Sequence, residues 1–134
     1  MRKLVAAVVA VGITSLFLMN VYAQDEKTIG LSREYQTCMD KSEGVTSKMM
    51  DCIGTETTRQ DARLNKVYKA VMVQLDNANK ARLREAQKAW ITFRDANVAF
   101  YRDPEGGTGS MVTGADRFLI MTAQRASELE KLKQ

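Results

Sequence analysis

Histidine is absent from all 134 residues. That removes the usual general base near neutral pH, the usual imidazole metal ligand, and any Ser-His or Cys-His nucleophile. Only two cysteines occur, Cys38 and Cys52, with no Cys-x-x-Cys between them, so a redox-active dithiol is not indicated. A metal would have to be held by carboxylates alone. Asp25-Glu26, Glu56 with Asp61, and Asp103 with Glu105 lack the ordered spacing of a calcium loop. The methionines Met39, Met49, Met50, Met111 and Met121 are read as core filler and adaptable contact surface, not as a copper(I) site. Gly106-Gly107-Thr108-Gly109 follows no strand, so it is a connector and not a phosphate loop. No metal, no cofactor and no catalytic residue is expected, and the chain reads as a binding protein.

A long apolar run occurs once. Arg2-Lys3 precedes apolar residues from Leu4 to Met19, and Val21-Tyr22-Ala23 supplies the small residues that an export peptidase reads. This is the three-part form of a secretory signal, residues 1–23, with cleavage expected after Ala23. The run is short for a span of about 20 residues, and no cysteine follows it for a lipid, so no stable membrane anchor is expected. The expected location is periplasmic or secreted. Residues 24–134 then form one domain. Without Arg2 and Lys3, the 20 basic residues fall by two against 16 acidic ones, a charge of about +2. That near balance gives no basic footprint for nucleic acid. In an oxidising compartment Cys38 and Cys52 are expected to pair. Closing a loop of that size contributes about 3 kcal/mol in the chain-entropy model.

The rest of the chain has helical periodicity and no strand pattern. Leu31 to Lys41 suggests a short first helix, broken by Ser42-Glu43-Gly44. Thr46 is the expected N-cap of the second, with Val45 and Met50 as a hydrophobic staple. Leu64, Tyr68, Val71 and Leu75 give that helix one apolar stripe to about Asp76. Its earlier part, Gly54 to Asp61, is polar and of poor helix propensity. It is expected to protrude into solvent or to break.

Asp76-Asn77-Ala78-Asn79 is a turn. Leu83, Ala86, Trp90, Phe93, Asn97 and Phe100 then alternate gaps of 3 and 4, the spacing of a bundle seam on a third helix, about Lys80 to Tyr101. Gln87, Arg94 and Tyr101 lie in a row beside it. Asp103 to Ser110 carries the single proline and is a loop. A last helix, about Met111 to Lys131, has Ala115, Leu119, Thr122, Ala126 and Leu129 as its stripe, widened by Phe118 and Leu132. The expected fold class is all-α: a small antiparallel bundle of three main helices plus a short N-terminal helix, with one disulfide.

Several of these residues form phrases. Cys38 and Cys52 are followed by Leu64-Asn65-Lys66-Val67-Tyr68, then Gln87-Lys88-Ala89-Trp90-Ile91-Thr92-Phe93-Arg94-Asp95. Gly106-Gly107-Thr108 comes next, and Thr122 to Leu129, with Arg125, closes the series. In this order they resemble the LprI-like lysozyme-inhibitor family of exported bacterial helical proteins, over about Tyr35 to Leu132. The resemblance implies a disulfide-bonded helical fold and a protein partner, a lysozyme, inhibited by binding without catalysis. It marks Leu64, Asn65, Tyr68, Gln87, Trp90, Arg94, Asp95, Gly106, Gly107 and Arg125 as family-motif residues with a structural role. Many members carry a second cysteine pair; here Val98 and a position near Phe118 or Leu119 stand in its place.

Many animal lysozymes are strongly basic, and a partner for them gains on-rate from acidic groups. The candidate contacts are therefore Asp103 and Glu105 on the Gly-rich loop, then Glu56 and Asp61. A second function class fits the same composition. It is a periplasmic interaction, stress-response or toxin-immunity module that does not act on lysozyme.

Overall fold

A computed structural model describes residues 29–133; the expected signal segment lies outside them. Four helices follow in order: α1 (Arg33–Ser42), α2 (Thr46–Gln74), α3 (Asn77–Tyr101) and α4 (Gly107–Glu130). The class is all-α, and Cys38 and Cys52 are bonded with their Cα atoms 5.7 Å apart.

Each boundary has a local cause. Ser32 caps α1, its hydroxyl accepting from the Tyr35 amide. The helix ends with Glu43 and Gly44 at φ +51° and +74°, a left-handed exit that glycine adopts freely and glutamate does not. Helix α2 begins one residue earlier than expected. Val45 is its N-cap and supplies no side-chain bond, while Thr46 is the first helical residue. This corrects the Thr46 cap, and with Val45 at the cap the staple register with Met50 is lost. Asp76 caps α3 through the Asn79 amide at 2.8 Å.

Helix α4 is the shared wall. Its contacts pair Ile53 with Leu119 and Leu64 with Ala126, so α2 and α4 run parallel. Helix α3 runs antiparallel to α4, with Gln87 beside Arg125 and Arg94 beside Phe118. Helix α1 lies antiparallel along the start of α2, tied by the disulfide and by Ser32–Glu56.

Two apolar clusters form the core. Tyr35, Cys52, Ile53 and Leu119 pack at one end, and Leu64, Val67, Val71, Ala126 and Leu129 at the other. Small residues on α4, with Ala123 and Ala126 at 0% exposure, let the helices approach closely.

Three further expectations are overturned. Gly54 to Asp61 neither breaks nor protrudes: it is continuous helix, with Glu56 and Gln60 buried. Low intrinsic propensity is outweighed by tertiary hydrogen bonds, described below. The expected α3 seam is also misplaced. Phe93 and Phe100 are 60% and 78% exposed, and Ala86 is exposed. The row facing α4 is instead Leu83, Gln87, Trp90, Arg94, Val98 and Tyr101, all half-buried or buried. The row set beside the seam is thus the seam, together with Leu83 and Trp90. Leu132, expected to widen the α4 stripe, is 55% exposed.

Candidate partner-binding site

Four motif residues, Gln87, Trp90, Arg94 and Arg125, gather on the α3–α4 face. Arg94 is the centre of a stack. Its guanidinium carbon sits 4.9 Å from the Trp90 ring centroid and 4.1 Å from that of Phe118. Its side chain is only 12% exposed and pairs with Asp95 at 2.9 Å. A flat, weakly hydrated cation fits this layer better than an ammonium would. About two turns away, Arg125 Nε donates to Gln87 Oε1 at 3.0 Å, and its Nη1 pairs with Glu128 at 2.9 Å. Arg125 also lies over Trp90 at 5.9 Å. Gln87, Trp90, Arg94 and Arg125 therefore bolt α3 to α4 with polar and aromatic groups, each of which has a partner. Leu64 is in the core and Tyr68 packs against it, while Asn65 is exposed and donates to Asp61 at 3.1 Å.

A second network centres on α2. Glu56 is 2% exposed. Its carboxylate accepts from the Ser32 amide at 3.0 Å, the Ser32 hydroxyl at 2.6 Å and Gln60 Nε2 at 2.7 Å. Arg63 continues the chain to Glu130 at 2.6 Å, to Ser127 and to the carbonyl of Ile29. The hydrogen bond and charge of Arg63 hold the Glu130 carboxyl below its ordinary range. Glu34, exposed at the start of α1, is lowered by its local backbone hydrogen bond and then by Arg59. The network fastens residues 29–32 across α2 and α4. It also removes Glu56 from the candidate contacts, because a buried carboxylate with three donors has no face for a partner. The helical spacing of Glu56, Gln60 and Arg63 was its only trace in sequence, and those polar types suggested solvent.

The end of the bundle at residues 102–106 is different. Asp103 and Glu105 are both exposed. The turn is braced from within: Asp103 Oδ1 accepts the Glu105 amide at 2.9 Å, and the Asp103 carbonyl accepts the Gly106 amide at 3.1 Å. The Ser110 hydroxyl lies 2.6 Å from the same carbonyl. Gly107 has φ +62°, and a side chain at Gly106 would meet Ser110 Cβ at 2.6 Å. Both glycines are therefore set by the turn itself. Beside Asp103, Met111 is 51% exposed, and Phe100, three residues earlier on α3, is 78% exposed. A shallow hollow of about 470 Å³ is lined by Arg102, Asp103, Pro104, Thr108 and Met111. Rigid acidic groups next to uncovered apolar side chains make a surface for binding. Asp61 lies apart on α2, exposed and accepting from Asn65.

Near this end Tyr35 donates to Asp116 at 3.2 Å. Burial pushes the Asp116 carboxyl above its ordinary value, against the pull of Tyr35 and Arg117. Arg117 lies 4.5 Å over the Tyr101 ring, and its Nε is buried with no hydrogen-bond partner among the described residues. Of the positions standing where many members carry a second cysteine pair, Val98 and Leu119 are buried and Phe118 holds Arg94. Among the described residues no group of three metal-binding side chains occurs and no helix is long and apolar enough to cross a membrane.

These features define a small disulfide-bonded helical protein with a braced acidic tip. The family model described as "Lysozyme inhibitor LprI" matches residues 38–129, and the chain belongs to that family. No curated protein and no solved structure matches it.

Proposed function

We propose that this protein is exported and inhibits a lysozyme by direct binding, with the Asp103–Glu105 tip as the contact. The family match over residues 38–129 carries this reading. The tip supports it in geometry: two exposed carboxylates on a hydrogen-bonded turn, flanked by Phe100 and Met111. Exposed carboxylates favour approach to a basic partner, and uncovered apolar side chains supply contact area. The mode of action is occupation of the lysozyme's substrate cleft, with no bond made or broken. With no histidine in the chain, acid–base work near neutral pH lacks its usual agent.

The test is a titration of the purified protein against lysozymes of several types while cell-wall lysis is followed. Inhibition of at least one type is expected, weakened about tenfold or more by Asp103→Ala with Glu105→Ala. Absence of inhibition for every type at micromolar protein would leave the envelope-interaction reading in its place. Full potency in the double variant would move the contact away from the tip.

A further inference from the structure

Helix α3 has two apolar faces, and α4 covers one of them. The other carries Ala86, Ala89, Phe93, Ala96 and Phe100, at gaps of 3, 4, 3 and 4. All five are exposed, and Phe93 and Phe100 reach 60% and 78%. That is the spacing of a helix–helix seam with no second helix on it.

The order of residues along this face points to the occupant. Phe93 is its midpoint. Seven residues before it is Ala86 and seven after it is Phe100, each about 10.5 Å away along the axis. Eleven before it is Arg82, and eleven after it is Pro104, between Asp103 and Glu105. When a second copy of α3 lies antiparallel with Phe93 against Phe93, the small end of each face meets the partner's large end, and the charges at the rim are of opposite sign. Ala86 receives the partner's Phe100, and Arg82 meets the partner's Asp103–Glu105 tip. Within one chain, Arg82, Arg102, Asp103 and Glu105 form no ion pair with any described residue.

We infer that this face is a two-fold interface between copies of the chain, centred on Phe93. Two-fold contact is the common form of self-association, and it requires a self-complementary patch of this kind. The area sets the strength. At about 200 Å² per phenylalanine, the two rings and the alanines leave roughly 400 Å² uncovered per copy. With the charged rim, two copies reach the lower edge of a specific interface, about 1,000 Å² in total. The dimer is therefore weak and concentration-dependent. It also engages the loop carboxylates, so a dimer and a complex made through the same tip exclude each other.

Sedimentation equilibrium of the purified exported protein, without lysozyme, tests this independently of the inhibitor reading. A dimer with a dissociation constant of about 10–100 μM is expected. Phe93→Asp should abolish it while leaving the helical circular dichroism unchanged. Arg82→Glu, and separately Asp103→Lys with Glu105→Lys, should each weaken it about tenfold. An equimolar mixture of those two variants should associate at least as well as the unaltered protein, because both rim contacts are then of opposite sign. A monomer at several hundred micromolar, an unchanged dimer in Phe93→Asp, or a mixture no stronger than its parts would overturn the proposal.

Discussion

Toward α1 and α2, helix α4 presents Leu119, Ala126 and Leu129, none more than 1% exposed. Toward α3 it presents Phe118, Arg125 and Arg117, all half-buried, and the contacts there are ring faces and guanidinium groups. The first interface is a dry core. The second is a thin layer with water at its edges, and beyond it α3 turns phenylalanines to solvent. Dispersion and burial hold the first; oriented cation–ring contacts hold the second. An interface of the second kind fixes the register of α3 while burying less of its apolar surface, and so leaves a face free for another molecule.

The contrast is broken or sharpened most directly by two truncations. Leu119→Ala removes a side chain at 0% exposure that touches Tyr35, Cys52 and Ile53. It should cost about 3–4 kcal/mol in urea unfolding, the transfer of the lost atoms plus a cavity. Phe93→Ala removes a larger side chain at 60% exposure. It should change monomer stability by less than about 0.5 kcal/mol. Similar costs at the two positions would mean that α3 packs more like α2 than its exposure indicates.

The second prediction concerns the layer itself. Arg94→Ala withdraws the cation from between Trp90 and Phe118 and leaves Asp95 without its partner. A loss of about 1–2 kcal/mol is expected, mostly from the ring contacts, because Asp95 is 57% exposed and its ion pair is weak. Arg94→Lys should recover only part of it, since an ammonium does not stack as a plane. Full recovery by lysine would assign the effect to charge alone.

The stripe on α4 was legible because Leu119, Thr122, Ala126 and Leu129 are buried along one side, and periodicity reports that kind of burial well. On α3 the same method chose the wrong row. Ala86, Phe93 and Phe100 have seam spacing and apolar chemistry, yet the buried row holds Gln87 and Arg94. Hydropathy cannot rank an arginine above a phenylalanine for burial; only the flanking rings of Trp90 and Phe118 make that favourable. In the same way Glu56 and Gln60 looked solvated, because their partners Ser32 and Gly30 lie 24 and 30 residues away. The disulfide needed only two cysteines and an oxidising compartment. The acidic tip was visible from its glycines and proline, whereas its internal bracing by Ser110 was not.

The smallest expected effect lies where the two interfaces meet, at Asp116. Its carboxyl is raised by burial and is therefore harder to ionise in the folded chain than in the unfolded one. A raised carboxyl pKa means that the folded state binds the proton more tightly. The fold is thus favoured at acid pH and loses that contribution as pH rises from the usual aspartate range, about 4, through the raised value. Asp116→Asn keeps a carbonyl oxygen for Tyr35 and cannot ionise. It should match the unaltered protein at pH near 3.5 and exceed it in stability at pH 7. Arg117 opposes this, because the variant takes away its nearby negative charge. The raised pKa says that desolvation of the carboxylate outweighs that attraction, so the sign at pH 7 decides between them. A variant less stable at pH 7 would show that Arg117 depends on the charge of Asp116. The seat of Arg117 over the Tyr101 ring would then rest in part on that charge.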